Sequence, residues 1–190
     1  VRVGKDITMK QLQKEHDSLF IGVGAHKDQA LGIPGDDLNG VVSGIEFLRD
    51  ISLGKEVDLT GKTVIIIGGG NVAMDAVRSA RRLGATKPFI VYRRSHQEMP
   101  ANEEEIEECR EEGIEIMTLT TPVRIIGENG RVKAIECVRM ELGEPDESGR
   151  RRPVKIPGSE FVIEVDAVIP ALGQESDWAC LTPECACTLS

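Results

Sequence analysis

The chain has 190 residues, a formal net charge of -9 at pH 7 and 40% hydrophobic residues. This length suits one hydrophobic core or slightly more, and the acidic balance argues against nucleic acid or an anionic membrane as partner. No apolar run approaches the roughly 20 residues of a membrane span. The start, Val1 to Lys5, is no signal peptide and lacks Met, which predicts a piece of a longer protein.

The first elements lie before any recognisable motif. Thr8 is a good N-cap for a short helix from Met9 to His16. The apolar run from Ser18 to Gly24 predicts a buried strand, and a loop rich in turn formers follows it. Apolar residues at helical spacing then predict an amphipathic helix from Val41 to Leu53.

A strand, a glycine-rich turn and a helix follow each other directly in the centre of the chain. The β-branched run from Lys62 to Ile67 predicts a strand buried on both faces. Gly68-x-Gly70-x-x-Ala73 then matches the G-x-G-x-x-G/A fingerprint of dinucleotide-binding βαβ units. Gly68 permits a tight turn, Gly70 lets a pyrophosphate approach the backbone, and Ala73 lets the helix pack on the strand. The free N–H groups and the dipole of the helix favour phosphate at its start.

Two more strands and one helix complete a parallel half-domain. We predict strands over Pro88 to Tyr92 and Ile114 to Leu119, with a helix from Asn102 to Glu112 between them. The pattern from Thr63 to Leu119 is therefore β-α-β-α-β, which is typical of a parallel mononucleotide-binding sheet.

The pattern then changes to antiparallel strands. An Asn-Gly turn separates a strand over Pro122 to Ile126 from one over Arg131 to Leu142, and Glu160 to Val165 alternates like a third strand. Glu144 to Arg152 predicts an exposed loop tip, and Asp166 to Gly173 a final buried strand. The expected fold class is α/β: a Rossmann-like βαβαβ parallel sheet with a three-stranded antiparallel β-meander.

Two arginines end the second strand of the parallel half. In NAD-binding units an acidic residue about 20 positions after the glycines binds the ribose 2′-hydroxyl. Here Arg93 and Arg94 stand instead, and guanidinium groups suit a 2′-phosphate. The pair therefore favours NADPH over NADH, and the alternative is a solvated arginine pair.

The cysteines and histidines suggest neither a metal site nor a catalytic group. Cys109 and Cys137 fall in apolar segments and are expected to be buried small hydrophobes. Cys180, Cys185 and Cys187 lack C-x-x-C spacing, so we predict no metal ligands. Such cysteine usage fits a cytoplasmic location. The histidines show no partner pattern for catalysis, so we assign no catalytic acid or base.

Four motifs together resemble the NADPH-dependent glutamate synthase small subunit and its relatives. They are Gly-Gly-Gly-Asn-Val-Ala-Met-Asp at 68–75, Tyr-Arg-Arg at 92–94, Glu-Met-Pro-Ala at 98–101 and Ala-Leu-Gly-Gln at 171–174. Residues 8–34 are similar to that family's crossover from its FAD domain. The relatives include the ferredoxin–NADP transhydrogenase large subunit and the electron-input part of dihydropyrimidine dehydrogenase. The resemblance implies a flavoprotein that moves electrons between NADPH and FAD.

The resemblance also implies roles for individual residues. The second half of the glycine loop and the helix start would line the pyrophosphate, the arginine pair would hold the adenosine 2′-phosphate, and the end of the last strand would pass beside the nicotinamide. In that order the residues are Gly69, Gly70, Asn71 and Val72; Arg93 and Arg94; and Ala171, Leu172 and Gly173.

The resemblance further implies a division of the chain and a set of partners. Residues 1–60 would be a linker region and the edge of an FAD domain, 61–174 the NAD(P)H-binding domain, and 175–190 the start of the return to the FAD domain. No G-x-G-x-x-G precedes Gly68, so we expect FAD in the full-length protein and not on this chain alone. A glutamate synthase large subunit or a ferredoxin-linked protein is a possible partner. The alternative is a non-catalytic nucleotide-binding sensor or interaction domain.

Overall fold

The computed structural model describes residues 1–25, 27–147 and 149–176. The chain divides into two compact units. One contains the residues before Asp28 and those after Gly173, and the other spans 28–173 and contains the glycine motif.

The helices begin where capping groups are available. The Thr8 hydroxyl accepts a hydrogen bond from the backbone of Gln11, whose side chain in turn accepts from the backbone of Thr8, so both orphan amides are satisfied. The Ser43 hydroxyl accepts from the backbone of Glu46 in the same way. The helices are α1 (Met9–Glu15), α2 (Gly44–Ser52), α3 (Asn71–Arg82) and α4 (Glu103–Glu111), with a short 3-10 turn at His96–Glu98.

Ten strands lie in the described part of the chain. They are β1 (Lys27–Asp28), β2 (Thr63–Ile67), β3 (Lys87–Val91), β4 (Glu115–Met117), β5 (Thr120–Glu128), β6 (Arg131–Pro145), β7 (Arg151–Lys155), β8 (Phe161–Glu164), β9 (Ala167–Pro170) and β10 (Gln174–Glu175).

The parallel sheet is the frame of the unit that spans 28–173. Its strand order is β4-β3-β2-β9, and β2 pairs in parallel with both β3 and β9. Alternate residues of β2 enter two separate cores: Val64 and Ile66 pack with α3 and α4, and Ile65 and Ile67 pack with the antiparallel sheet. The predicted strand buried on both faces and the predicted βαβαβ arrangement are therefore confirmed.

The antiparallel sheet has one more strand than expected. The predicted Asn-Gly turn joins β5 to β6, with positive φ at both Asn129 and Gly130, as a tight hairpin requires. β6 pairs with β5 and β8 over its first half and with β7 over its second half. The three predicted antiparallel strands are therefore confirmed as β5, β6 and β8. What the sequence missed is β7, because β6 and β7 extend into the predicted loop tip.

Two further expectations near the start of the chain are corrected. Residues 18–24 form no strand, because no described strand supplies backbone hydrogen-bond partners to this run. The run is not buried either, since Phe20 is 97% exposed. Helix α2 begins at Gly44 rather than Val41. The backbone N–H of Val42 donates to Val168, which keeps the two valines extended up to the Ser43 cap.

Candidate functional site

The glycine loop connects the carboxyl end of β2 to the start of α3. The backbone N–H of Gly68 still donates to the Val91 carbonyl of the neighbouring strand. Gly70 is the N-cap of α3 and has no side chain to accept a hydrogen bond from the first turn. The loop therefore leaves the sheet at its carboxyl edge, where ligands of open α/β sheets bind.

Each of the three loop positions has a different reason to be glycine. A Cβ on Gly68, whose φ is +154°, would lie 2.2 Å from the Ala171 carbonyl oxygen. A Cβ on Gly69 would lie 2.6 Å from ring carbons of Tyr92. A Cβ on Gly70 would meet no described atom nearer than Pro100 Cγ at 3.9 Å. Packing within the protein thus requires the first two glycines, whereas the third faces open space.

The first turn of α3 begins beside that space with two backbone donors that no described residue accepts. The N–H groups of Asn71 and Val72 occupy the first two helical positions, where a helix provides no acceptor. The Asn71 side chain is engaged with the start of α4, because its Oδ1 accepts a hydrogen bond from the backbone N–H of Asn102 at 2.9 Å. Three buried alanines, Ala73, Ala76 and Ala80, let α3 lie close to the sheet. The result is a rigidly held helix start with a positive dipole end.

The segment after β3 places two arginines in very different environments. Backbone hydrogen bonds hold the segment against its neighbour, since the Tyr92 N–H donates to Met117 and the Thr120 N–H donates to Tyr92. Arg93 is exposed, and it has no hydrogen bond or ion pair to the described residues. Arg94 is only 4% exposed, and its guanidinium pairs with Asp146 at 2.6 Å. The two residues are therefore not equivalent.

The end of β9 forms the other side of the site. The backbone N–H of Ala171 donates to the Ile67 carbonyl at 2.8 Å, which fixes this segment beside the glycine loop. Leu172 is 41% exposed, and Gly173 has a φ of +141°. Three adjacent strands of one sheet, β3, β2 and β9, thus lead at their carboxyl ends into predicted site residues. These are residues 93, 68–72 and 171–173, respectively.

Three contacts in the site were not anticipated from the sequence. The first is the buried Tyr92 ring under Gly69, held by a hydrogen bond from its hydroxyl to the Glu98 carbonyl at 2.7 Å. The second is α2, whose Gly44 lies against Val72 and Ala171. The third is the Arg94–Asp146 pair. The only sequence signal related to these contacts is the Tyr-Arg-Arg motif at 92–94, at the end of β3.

No metal chemistry is indicated by the described residues. Among residues 1–25, 27–147 and 149–176, no group of three His, Cys, Asp or Glu side chains is placed to hold a metal ion. The cluster at Cys180, Cys185 and Cys187 lies outside this part of the chain. Within the same part of the chain, no helix is long and apolar enough to cross a membrane.

Residues 2–187 match the family described as Pyridine nucleotide-disulphide oxidoreductase. The chain belongs to this family. The membership agrees with the placement of the glycine loop at the edge of the parallel sheet, and it confirms the expected resemblance to this oxidoreductase family.

Relatives within the family are NADP-dependent oxidoreductase subunits by name. The chain is 48% identical over 178 residues to the NADP(+)-dependent formate dehydrogenase subunit beta of Moorella thermoacetica, covering 93% of this chain and 25% of that protein. It is 37% identical over 182 residues to the glutamate synthase [NADPH] small chain of Escherichia coli (strain K12), covering 90% of this chain and 39% of that protein. The chain therefore spans well under half the length of these relatives.

A solved structure shows the same fold at lower identity. Mycobacterium tuberculosis FprA in complex with NADPH superposes with a TM-score of 0.77 and 22% identity, covering 92% of this chain and 53% of FprA. This likeness shows that the chain and FprA share a fold.

Proposed function

We propose that the chain is the NADPH-binding part of a flavin-dependent oxidoreductase similar to the glutamate synthase small chain. The observation that carries this proposal is the open space in front of Gly70. The amides of Asn71 and Val72 lie next to Gly70, where an added Cβ would meet no described atom beyond its chain neighbours closer than Pro100 Cγ at 3.9 Å. This arrangement fits a pyrophosphate at a helix N-terminus.

Arg93 supports NADPH as the dinucleotide. Its exposed guanidinium lies at the end of β3, the strand next to β2, and a carboxylate that would repel a 2′-phosphate is absent from that position. Arginine binds phosphate through paired, charge-assisted hydrogen bonds. Arg94 follows at the same strand end and belongs to the same proposed subsite.

The chain's own residues act by binding and orientation. NADPH, when bound, supplies a hydride for transfer to the flavin. The helix start neutralises the pyrophosphate, Arg93 anchors the adenosine end, and Ala171, Leu172 and Gly173 pass beside the nicotinamide. No side chain of this chain is assigned as an acid or base in the reaction.

The division of the chain follows from the same proposal. We assign residues 61–174 to the NAD(P)H-binding domain, 1–60 to the linker region and FAD-domain edge, and 175–190 to the return to the FAD domain. Residues 28–60 are part of the same compact unit as the parallel sheet. We propose that FAD binds to the longer protein of which this chain is a part. The proposed redox partner is a glutamate synthase large subunit or a ferredoxin-linked protein. A cytoplasmic location also stays a prediction.

Isothermal titration of the chain with NADPH and with NADH tests the proposal. We expect NADPH to bind at least about tenfold more tightly, since one good charge-assisted contact to the 2′-phosphate is worth about that factor. Arg93→Ala should remove the preference without weakening NADH. The matched control is Arg81→Ala, an exposed arginine at the far end of α3. Equal affinity for both coenzymes in the wild-type chain would contradict the assignment of the 2′-phosphate subsite.

A further inference from the structure

The loop that leads from β3 to α4 returns to the glycine loop and is bound to it at two points. The backbone N–H of Ala101 donates a hydrogen bond to the Gly69 carbonyl at 3.1 Å. The next N–H along the chain, that of Asn102, donates to the side-chain Oδ1 of Asn71 at 2.9 Å. The two acceptors therefore stand on either side of Gly70.

A third hydrogen bond holds the other end of the same loop. The hydroxyl of the buried Tyr92 donates to the Glu98 carbonyl at 2.7 Å. Residues 98–102 are thus attached at their first, fourth and fifth positions, and we call them the wall segment. Between the attached positions, Met99 is buried and Pro100 is exposed.

Pro100 borders the space in front of the start of α3. Its Cγ lies 3.9 Å from the position that a Cβ on Gly70 would take, and no other described atom beyond the chain neighbours of Gly70 lies closer to that position. The proline ring fixes its own φ, so the wall segment has little internal freedom and its position depends on its attachments. The wall segment is therefore one side of the space that we assign to the pyrophosphate.

We propose that the Asn71 side chain is a positioning group that holds the wall segment beside the pyrophosphate. The backbone N–H of Asn71 stays available to the phosphate, while its Oδ1 fixes Asn102 and, through the chain, Pro100. A segment that is already in place does not have to be ordered when the coenzyme binds, so less binding free energy is lost. This inference rests on the proposed NADPH site, and it gives a role to the Glu-Met-Pro-Ala motif at 98–101.

The chemistry of the bond to Asn102 provides two variants of opposite expected effect. A backbone N–H only donates, so the Asn71 atom that it meets is the side-chain oxygen. In Asn71→Asp a carboxylate oxygen can accept the same bond, and an acidic residue in the first turn of a helix is favourable. In Asn71→Ala the acceptor is lost. A side chain that instead donated its amide N–H to the phosphate would be replaced by neither residue.

The experiment combines calorimetric titration with amide hydrogen exchange of the chain and its Asn71 variants. In Asn71→Ala the exchange of the Asn102 amide should speed up by about tenfold, because its acceptor is lost. The affinities for NADPH and NADH should fall together by about five- to tenfold, which is the effect of one hydrogen bond. Asn71→Asp should keep the Asn102 amide protected and bind both coenzymes at least about threefold more tightly than Asn71→Ala. Gln97→Ala, a neutral and exposed change in the same loop, is the control and should match the wild-type chain.

Three other results would each overturn the inference. Unchanged coenzyme binding or unchanged Asn102 exchange in Asn71→Ala would show that this bond does not hold the wall segment for the coenzyme. Equally weak binding in Asn71→Asp and Asn71→Ala would show that the side chain acts through its amide nitrogen. A fall of more than about 8 °C in the unfolding temperature of Asn71→Ala, beyond the effect of one hydrogen bond, would show a purely structural role. All three leave the NADPH preference of the wild-type chain intact, so they are distinct from failure of the proposed function.

Discussion

The Tyr92 ring lies directly against the backbone of Gly69, so that a Cβ at position 69 would fall 2.6 Å from two ring carbons. The ring cannot easily move aside, because it is buried and its hydroxyl donates to the Glu98 carbonyl. Gly69→Ala should therefore lower the free energy of unfolding by about 1–3 kcal/mol, the usual cost of overpacking a core. Urea unfolding measures this value, and a change below about 0.5 kcal/mol would contradict the contact.

Gly70→Ala is expected to behave in the opposite way. Its backbone is extended, with φ at -97°, and a Cβ would meet only Pro100 Cγ at 3.9 Å. Stability should change by less than about 1 kcal/mol, the cost of exchanging glycine for alanine at an N-cap. A methyl group in front of the helix start should weaken NADPH and NADH alike, by about tenfold or more. Calorimetric titration of both coenzymes checks this, and unchanged affinity would place the pyrophosphate elsewhere.

Glu112 links the stability of the α3–α4 pair to pH. Its carboxylate accepts hydrogen bonds from Arg78 at 2.8 Å and from Arg82 at 3.2 Å. The bond from Arg78, followed by the positive charges around it, holds the pKa of Glu112 below its ordinary value of 4.5. A lowered pKa in the folded state contributes stability above about pH 4.5 that is lost as the pH falls through the folded value.

The Glu112→Gln variant should therefore have a lower free energy of unfolding than the wild-type chain at pH 7. In acid the two free energies of unfolding should be equal. Chemical unfolding at a series of pH values measures the difference between the two proteins. Glu111→Gln, a change at the exposed neighbour, is the control and should give little difference at any pH. A Glu112→Gln deficit that does not shrink below pH 4.5 would contradict the role of this carboxylate.

The two buried cysteines should be chemically inert in the folded chain. Burial raises the pKa of Cys109 to about 11 and that of Cys137 to about 12. Since the thiolate is the nucleophile, alkylation by iodoacetamide near pH 8 should be slowed by about 100-fold or more relative to the unfolded chain. Peptide mass spectrometry follows each cysteine separately, and equal rates in the folded and unfolded chain would show that these sites open readily.

Local patterns were sufficient to predict the centre of the fold. The strand, glycine loop and helix from Thr63 to Arg82 could be read from residues adjacent in sequence, because periodicity and glycine spacing act within one βα unit. The Asn129-Gly130 hairpin was predictable for the same reason. The expectation that Cys109 and Cys137 are buried is confirmed, since both lie in apolar segments of the core.

The errors come from features that depend on distant partners. Residues 18–24 are apolar, but an apolar run becomes a strand only where a neighbouring strand accepts its backbone hydrogen bonds. β7 was missed because Arg151, Arg152 and Lys155 leave no apolar alternation, as is common in an edge strand with a single partner. The difference between Arg93 and Arg94 arises from Asp146, and no local pattern encodes a contact across 52 residues.

The position of the coenzyme in a crystal of the chain grown with NADPH tests the central claim most directly. We expect the pyrophosphate to lie within hydrogen-bond distance of the Asn71 and Val72 backbone N–H groups, in the space in front of Gly70. The 2′-phosphate should contact the Arg93 guanidinium. Density for the pyrophosphate at another edge of the sheet, with the start of α3 facing solvent, would contradict the account.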